Sequence, residues 1–197
     1  MVCYGYDMKT VLFIPGFRED INSRNYKITL EAIKQKGYST QFVPINWKNT
    51  ILNDWVEQLQ RIYLKHDPNE TILSGFSYGS LTAMVEASIN NPFELWLFSL
   101  SPYFSDDIPV MKSSWLKEIG KRRVENFSKL NFSRLASKIK CRTLIMFGEL
   151  EAQKYPLISN RSYIAYKMIS NSTLIKVKNA DHDVTNSNYI EAIKKSI

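Results

Sequence analysis

The sequence predicts an α/β fold: a doubly wound, mainly parallel sheet of six strands with a short helical cap. Six short apolar runs rich in β-branched residues alternate with stretches of helical periodicity, the pattern of successive βαβ units. Three of these runs are nearly continuous in apolar residues, as in strands that are covered on both faces. The length of 197 residues and the 44% hydrophobic content fit one ordinary domain, residues 1–197.

The order of the elements is strand, helix, strand along most of the chain. The predicted strands are 10–14, 39–45, 71–74, 93–100, 142–147 and 172–177. The predicted helices are 22–36, with Ile28, Ala32 and Ile33 on one face, 51–64, 78–90, with Leu81, Val85 and Ile89 on one face, 156–169 and 188–197. Helical connections of this length between strands predict right-handed crossovers and a parallel sheet.

Residues 103–140 interrupt this alternation, because they contain no strand signal. We predict a cap insertion here, with two basic amphipathic helices that have solvated lysine and arginine faces. The segment from Lys112 to Arg142 contains ten basic residues and only two acidic ones, against a net charge of +7 for the whole chain. This surplus of positive charge predicts either a solvated surface without a further role or attraction of an anionic substrate, such as an acyl group on a phosphorylated carrier.

Composition excludes several classes of protein. Two histidines and two distant cysteines, Cys3 and Cys141, argue against a metal site, a zinc ribbon and a dithiol motif. No nucleic-acid-binding motif accompanies the basic segment, so no nucleic-acid partner is expected. The chain has neither an apolar run long enough for a membrane span nor a basic leader, so we expect a cytoplasmic protein. Surface contact with anionic lipid is an alternative that we do not expect.

The motif with the clearest chemistry is Gly75-Phe76-Ser77-Tyr78-Gly79. It follows a predicted strand and opens a predicted helix, the context of a G-x-S-x-G nucleophile elbow. In such a turn the serine hydroxyl is exposed above a helix N-terminus, where backbone N–H groups favour negative charge. Ser77 is therefore the candidate nucleophile.

A serine nucleophile needs a base, and the two histidines are the only imidazoles. His66 precedes the third strand, so it is expected at the edge of the sheet opposite Ser77. His182 follows the last strand, which places it at the same edge as Ser77. The orienting acid is expected after the fifth strand, where Glu149 and Glu151 both follow Gly148.

Stabilisation of a tetrahedral oxyanion requires two N–H donors. The backbone N–H of Tyr78, directly after the nucleophile, is the first candidate. The second is the N–H of Phe17, in the loop after the first strand. Four of the seven glycines, at positions 16, 75, 79 and 148, thus fall at junctions between strands and these loops.

These motifs together resemble the α/β-hydrolase superfamily over essentially the whole chain. The matching segments are 14–17, 75–79, 143–151 and 180–183. The resemblance implies Ser77 as nucleophile, His182 as base and Glu151 as acid. The chain departs from the usual pattern in having Pro15 before Gly16, where a histidine is common, and glutamate where aspartate is common. Some members take the acid from the loop after the fourth strand, which keeps Asp106 and Asp107 as alternatives.

The resulting expectation is a serine hydrolase that cleaves an ester or thioester of a small-molecule acyl substrate through an acyl-enzyme, with no cofactor and no metal. Hydrolysis of amide or carbon–carbon bonds uses the same three side chains and stays an alternative. A binding protein that keeps the fold and uses its pocket or basic cap without catalysis is the other alternative.

Overall fold

Six parallel strands form one sheet in the order β2-β1-β3-β4-β5-β6. The computed structural model describes residues 8–197; Cys3, and with it the prediction about a dithiol motif, lies outside them. The strands are β1 (Thr10–Ile14), β2 (Ser39–Phe42), β3 (Thr71–Phe76), β4 (Glu94–Phe98), β5 (Arg142–Gly148) and β6 (Ser172–Val177). The predicted six-stranded α/β fold is confirmed, and every pairing between neighbouring strands is parallel.

Helices cover both faces of the sheet. They are α1 (Lys27–Lys34), α2 (Leu52–Tyr63), α3 (Tyr78–Asn90), α4 (Ser113–Ile119), α5 (Lys121–Phe127), α6 (Phe132–Ala136), α7 (Glu149–Lys154), α8 (Pro156–Met168) and α9 (Ser187–Ser196). On one face α2, α3, α5, α6 and α8 bury one hydrophobic core. On the other face α1 and α9 bury a second core with the opposite side chains of the strands. Both faces are therefore apolar, which explains the near-continuous apolar strands.

Between β4 and β5 lie a 3₁₀ turn (Ile108–Val110) and the three short helices α4, α5 and α6. Ile119, Phe127 and Phe132 of this segment are buried in the larger core. The Arg123 guanidinium also donates hydrogen bonds to backbone carbonyls of the β2–α2 connection and of Ile119. The segment is thus fastened to the body of the protein by apolar contacts, by Arg123, and by the ion pairs of Asp106 and Asp107 with Arg161 of α8.

The ends of several elements differ from the prediction. Helix α1 begins at Lys27 rather than at residue 22, because the Asp20 carboxylate accepts hydrogen bonds from the following backbone and holds a turn there. Ile28 and Ile89, both expected on buried faces, are 46% and 55% exposed. Helix α3 is buried on nearly all sides, so its core face cannot be recognised from apolar periodicity. Helix α7 was not predicted, since it occupies six residues.

Because all six strands run in the same direction, their carboxyl ends share one edge of the sheet. The loops after β1, β3, β4, β5 and β6 therefore converge at that edge. In residues 8–197 no helix is long and apolar enough to cross a membrane.

Candidate active site

Ser77 occupies a strained turn between β3 and α3. Its backbone has φ 56° and ψ −116°, a conformation that side-chain-bearing residues rarely adopt. A Cβ on Gly75 would lie 2.3 Å from the Gly79 carbonyl, and a Cβ on Gly79 would lie 2.2 Å from the Ile14 carbonyl oxygen. Since such contacts are forbidden, only glycine fits at either position. The two glycines thus make possible the turn that presents the serine.

The Ser77 hydroxyl meets the imidazole of His182. The distance from Ser77 Oγ to His182 Nε2 is 3.1 Å, within hydrogen-bond range. His182 lies in the loop after β6, and its other ring nitrogen, Nδ1, hydrogen-bonds to Glu151 Oε1. The three side chains form a continuous hydrogen-bonded chain, in which an acid orients the base and the base contacts the hydroxyl.

Glu151 lies in the first turn of α7 and is 1% exposed. Its second carboxylate oxygen, Oε2, accepts hydrogen bonds from the backbone N–H of Gly148 at 2.8 Å and from Ser99 Oγ at 2.9 Å. These donors compensate the carboxylate for the loss of water. They also fix its orientation, so Oε1 stays directed at His182. The additional methylene of glutamate, relative to aspartate, spans the distance from α7 to the imidazole.

The alternative acids form other contacts. The Glu149 carboxylate pairs with Lys176 Nζ at 3.1 Å and accepts from the Asn179 backbone N–H. Asp106 and Asp107 both pair with the buried guanidinium of Arg161. Within the described chain none of these three carboxylates hydrogen-bonds to His182. The structure therefore brings Glu151, and not Glu149, Asp106 or Asp107, to the imidazole.

His66, expected at the opposite edge of the sheet, follows α2 and precedes β3. Its Nε2 atom lies 3.1 Å from Gln41 Oε1 of β2. No group of three or more histidine, cysteine, aspartate or glutamate side chains in residues 8–197 is arranged to hold a metal ion.

Phe17 and Tyr78 line the same cavity as Ser77, and their backbone N–H groups have no acceptor within residues 8–197. In the loop that contains Phe17, the Gly16 N–H already has an acceptor, the Tyr26 hydroxyl at 3.1 Å. The N–H of Phe17, the next residue, is the candidate donor. The aromatic rings of Phe17 and Tyr78 stack on each other at 4.8 Å. This contact joins the β1 loop to the start of α3, where both predicted oxyanion donors lie.

Comparisons with known proteins give a consistent result for the fold. No protein-family model matches the chain, and a comparison with curated proteins finds no match. Among solved structures, the chain is similar to Est1E from Butyrivibrio proteoclasticus, with a TM-score of 0.79 and 15% identity over 96% of this chain and 85% of that one. It is also similar to alpha/beta hydrolase domain-containing protein 10 from mouse (TM-score 0.70, 14% identity, 95% of this chain and 87% of that one). The chain has the α/β-hydrolase fold.

A third structure of the α/β-hydrolase fold agrees with this. The esterase domain of a Rhodothermus marinus protein matches with a TM-score of 0.71 and 13% identity, over 95% of this chain and 83% of that domain. These similarities concern the course of the backbone. Any activity of this α/β-hydrolase-fold chain has to be argued from its own side chains.

A cavity of about 440 Å³ opens in front of Ser77 and His182. Five of its thirteen lining residues are aromatic (Phe, Tyr or Trp), and the cap segment contributes Trp115, Glu118 and Ile119 to one side. Burial raises the pKa of Tyr78 well above its ordinary value and also raises the pKa of Tyr103. Both phenols are therefore neutral hydroxyls at physiological pH. The cavity combines aromatic surface with many hydrogen-bonding side chains, among them Arg18, Ser101 and Glu118.

Three residues of the site were not identified from the sequence. Ser99 donates to Glu151, and the Tyr189 hydroxyl lies 3.1 Å from Ser99 Oγ. Ser101 Oγ lies 3.3 Å from Ser77 Oγ. Ser99 and Ser101 follow β4 directly, at the same edge of the sheet as Ser77, so their position along the chain was an available signal. Tyr189 lies inside α9 and carried no such signal.

Proposed function

We propose that this protein is a serine hydrolase that cleaves an ester or thioester through an acyl-enzyme on Ser77. The observation that carries the proposal is the hydrogen-bonded chain from Ser77 through His182 to Glu151, whose first two members line a partly aromatic cavity. A nucleophile, a base and an orienting acid within contact distance are the arrangement that acyl transfer requires.

In the first half of the reaction, His182 Nε2 accepts the Ser77 proton while Oγ attacks the carbonyl carbon. The carbonyl π bond breaks, and its electron pair moves to the carbonyl oxygen. That oxygen accepts hydrogen bonds from the N–H groups of Phe17 and Tyr78, each worth about 3–4 kcal/mol in the transition state. The Glu151 carboxylate stabilises the imidazolium that forms.

Collapse of the tetrahedral intermediate breaks the bond to the leaving group, which takes the proton from His182 Nε2 as an alcohol or thiol. In the second half His182 takes a proton from water, and the resulting hydroxide attacks the acyl-enzyme. The second tetrahedral intermediate expels Ser77 Oγ, which recovers its proton from His182. The net reaction adds one water and yields an acid and the leaving group.

The cavity supports a small acyl substrate. Its volume of about 440 Å³ lies in the range of small-molecule sites. Phe17, Tyr103 and Trp115 supply apolar surface for an acyl chain. Esters and thioesters are the first substrates to test. The same three side chains also serve amide and carbon–carbon bond hydrolysis, so substrates of those classes come second.

A fluorophosphonate probe tests the proposed nucleophile directly. We expect the wild-type protein to gain one covalent adduct, measured by intact mass, and Ser77→Ala to gain none. Ser128→Ala, which changes an exposed serine of the cap segment, is the matched control and should label like the wild type. Loss of Ser77 should lower kcat on p-nitrophenyl esters by on the order of 10⁶. An unlabelled wild-type protein, or equal labelling of Ser77→Ala, would show that Ser77 is not the nucleophile.

A further inference from the structure

A second cavity beside the catalytic cavity is lined by an unusual concentration of positive charge. Its volume is about 410 Å³, and it lies between the β2–α2 connection, residues 45–49, and the side chains of Arg18 and Arg123. We call this cavity the basic hollow. A smaller cavity of about 270 Å³, lined by residues 49–51 and 119–123, shares Asn49 and Arg123 with it.

Three cationic side chains line the basic hollow, namely Arg18, Lys48 and Arg123, and no carboxylate is among its lining residues. Arg18 and Lys48 are exposed, and neither forms an ion pair with any residue in 8–197. The Arg18 guanidinium lies 4.9 Å from the centre of the Phe17 ring, a cation–π contact that positions it without neutralising it. The cavity therefore has uncompensated positive charge.

Arg123 is the fixed cation of the group. Its Nε donates to the Thr50 carbonyl at 3.0 Å and its Nη2 donates to the Trp47 carbonyl at 2.9 Å. These neutral acceptors hold the guanidinium in place and leave its charge intact. Burial lowers the pKa of Arg123, and the nearby charges of Arg18 and Arg122 lower it further. The cations thus repel one another, and an anion between them would relieve that repulsion.

The basic hollow is connected to the candidate active site through one shared residue, Arg18, which lines both the basic hollow and the cavity in front of Ser77. The ring of Phe17, whose N–H is the proposed oxyanion donor, lies 4.9 Å from both the Arg18 and the Arg123 guanidinium carbons. A single extended molecule with its carbonyl at Ser77 would therefore have its remote end beside these cations.

We propose that the basic hollow binds a phosphate group at the end of the substrate remote from the scissile carbonyl. This inference rests on the proposed function and specifies its substrate class: phosphate-bearing esters or thioesters. A phosphate monoester carries a charge of about −1.5 to −2 at pH 7 and offers three acceptor oxygens. A phosphate group therefore matches a site with three cations better than a carboxylate group would. Guanidinium groups also bind phosphate through paired hydrogen bonds. The concave shape favours a small ligand over a membrane surface.

A matched pair of thioesters tests the proposal, S-butyryl-pantetheine and S-butyryl-4′-phosphopantetheine, which differ only in the phosphate. We expect the wild-type kcat/KM to be about 10-fold or more higher for the phosphorylated substrate at low ionic strength. This preference should fall about 10-fold in Lys48→Gln and in Arg18→Gln. Lys36→Gln, an exposed lysine between α1 and β2 at the opposite edge of the sheet, is the control of equal charge change and should keep it. No preference in the wild type, or an unchanged preference in both hollow variants, would overturn the proposal.

Calorimetry on Ser77→Ala separates this proposal from the proposed function, because it measures binding without turnover. We expect 4′-phosphopantetheine to bind more tightly than pantetheine, and the difference to disappear in Ser77→Ala/Lys48→Gln. If that holds while neither thioester is cleaved by the wild type, the basic hollow stands and the hydrolase proposal fails. If both thioesters are cleaved equally and no binding difference is found, the hydrolase proposal stands and the phosphate site in the basic hollow fails. Sedimentation with phosphatidylcholine–phosphatidylserine vesicles that depends on Lys48, without binding of phosphopantetheine, would overturn the proposal in favour of a lipid surface.

Discussion

The aromatic rings of Phe17 and Tyr78 stack with their centroids 4.8 Å apart and their planes 23° from parallel. Phe17 lies in the loop after β1, and Tyr78 is the first residue of α3. Each contributes a proposed oxyanion donor. An oxyanion hole works because its donors are already in place before charge develops. We therefore expect the stacking contact to have a role beyond burial, which is to support the two proposed donors at a fixed spacing.

Replacement of Phe17 by alanine should lower kcat on p-nitrophenyl butyrate by about 10-fold, since the donor remains but loses its support. This is smaller than the 10²–10³ expected for removing a donor outright. Phe17→Tyr keeps the ring and should retain most of the rate. Steady-state kinetics with circular dichroism as a folding control would check this. Wild-type kcat in a folded Phe17→Ala protein would show that the stack does not position the donor.

The assignment of the acid has its own test. Glu151→Gln should lower kcat by about 10³–10⁴, because an amide cannot stabilise the imidazolium and disturbs the orientation of His182. Asp106→Asn is the matched control, since Asp106 contacts Arg161 and not the imidazole; it should change kcat by less than about threefold. A larger loss in Asp106→Asn than in Glu151→Gln would transfer the acid to the loop after β4.

Ser99 should act as a positioning residue for Glu151. Its hydroxyl donates to Glu151 Oε2 at 2.9 Å, and its backbone has φ 54°. Ser99→Gly removes the hydroxyl and tolerates this backbone conformation better than serine does. We therefore expect kcat to fall about 10-fold with little change in KM. KM should stay close to the wild-type value, because Ser99 is not among the residues that line the cavity in front of Ser77.

A purely structural role of Ser99 would give a different result. Ser99→Gly would then keep the wild-type kcat and KM, and only its urea midpoint would change. The same kinetics in Ser101→Gly would show whether the hydroxyl 3.3 Å from Ser77 Oγ contributes separately. A folded Ser99→Gly protein with the wild-type kcat, or one in which KM changes and kcat does not, would contradict the positioning role.

Sequence reasoning succeeded where the constraint was local. The elbow could be predicted because the G-x-S-x-G spacing is local, and a Cβ on Gly75 would lie 2.3 Å from the Gly79 carbonyl in the same turn. Gly79 is required by a more distant contact, since its Cβ would lie 2.2 Å from the Ile14 carbonyl oxygen of β1. The carboxyl-edge rule then selected His182 over His66 from strand order alone. The confirmed sheet follows from apolar runs that are buried on both faces.

It was less successful where distant parts of the chain decide the outcome. Glu149 and Glu151 both follow β5, and only the contacts of α7 with Gly148 and Ser99 determine which one faces the imidazole. Ile28 has helical spacing with other apolar residues, yet the packing of α1 leaves it 46% exposed. The basic surplus was visible in the composition, but only Arg123 of that segment lines the basic hollow, and its approach to Arg18 and Lys48 depends on loops far apart in the sequence.

The buried carboxyl group of Glu86 in α3 gives a prediction about stability. Its Oε1 accepts from Asn90 Nδ2 at 2.6 Å, whereas its Oε2 is buried with no hydrogen-bond partner in the described chain. Burial raises the pKa of Glu86 above its ordinary value of 4.5. The folded state therefore holds this proton more tightly than the unfolded state. The free energy of unfolding should fall as the pH rises from about 4.5 through the folded-state pKa.

Glu86→Gln removes this titration, so it should stabilise the protein at pH 7 by about 1 kcal/mol. At pH 4 the wild-type carboxyl is protonated in the folded state, and the two proteins should be nearly equal. Urea denaturation at both pH values measures the difference. Glu57→Gln, an exposed glutamate of α2 whose partner is Arg61, is the control and should stay within about 0.5 kcal/mol of the wild type at both. The outcome that would contradict this is a Glu86→Gln protein that equals the wild type at pH 4 and is less stable than the wild type at pH 7. It would show that the fold favours the charged carboxylate.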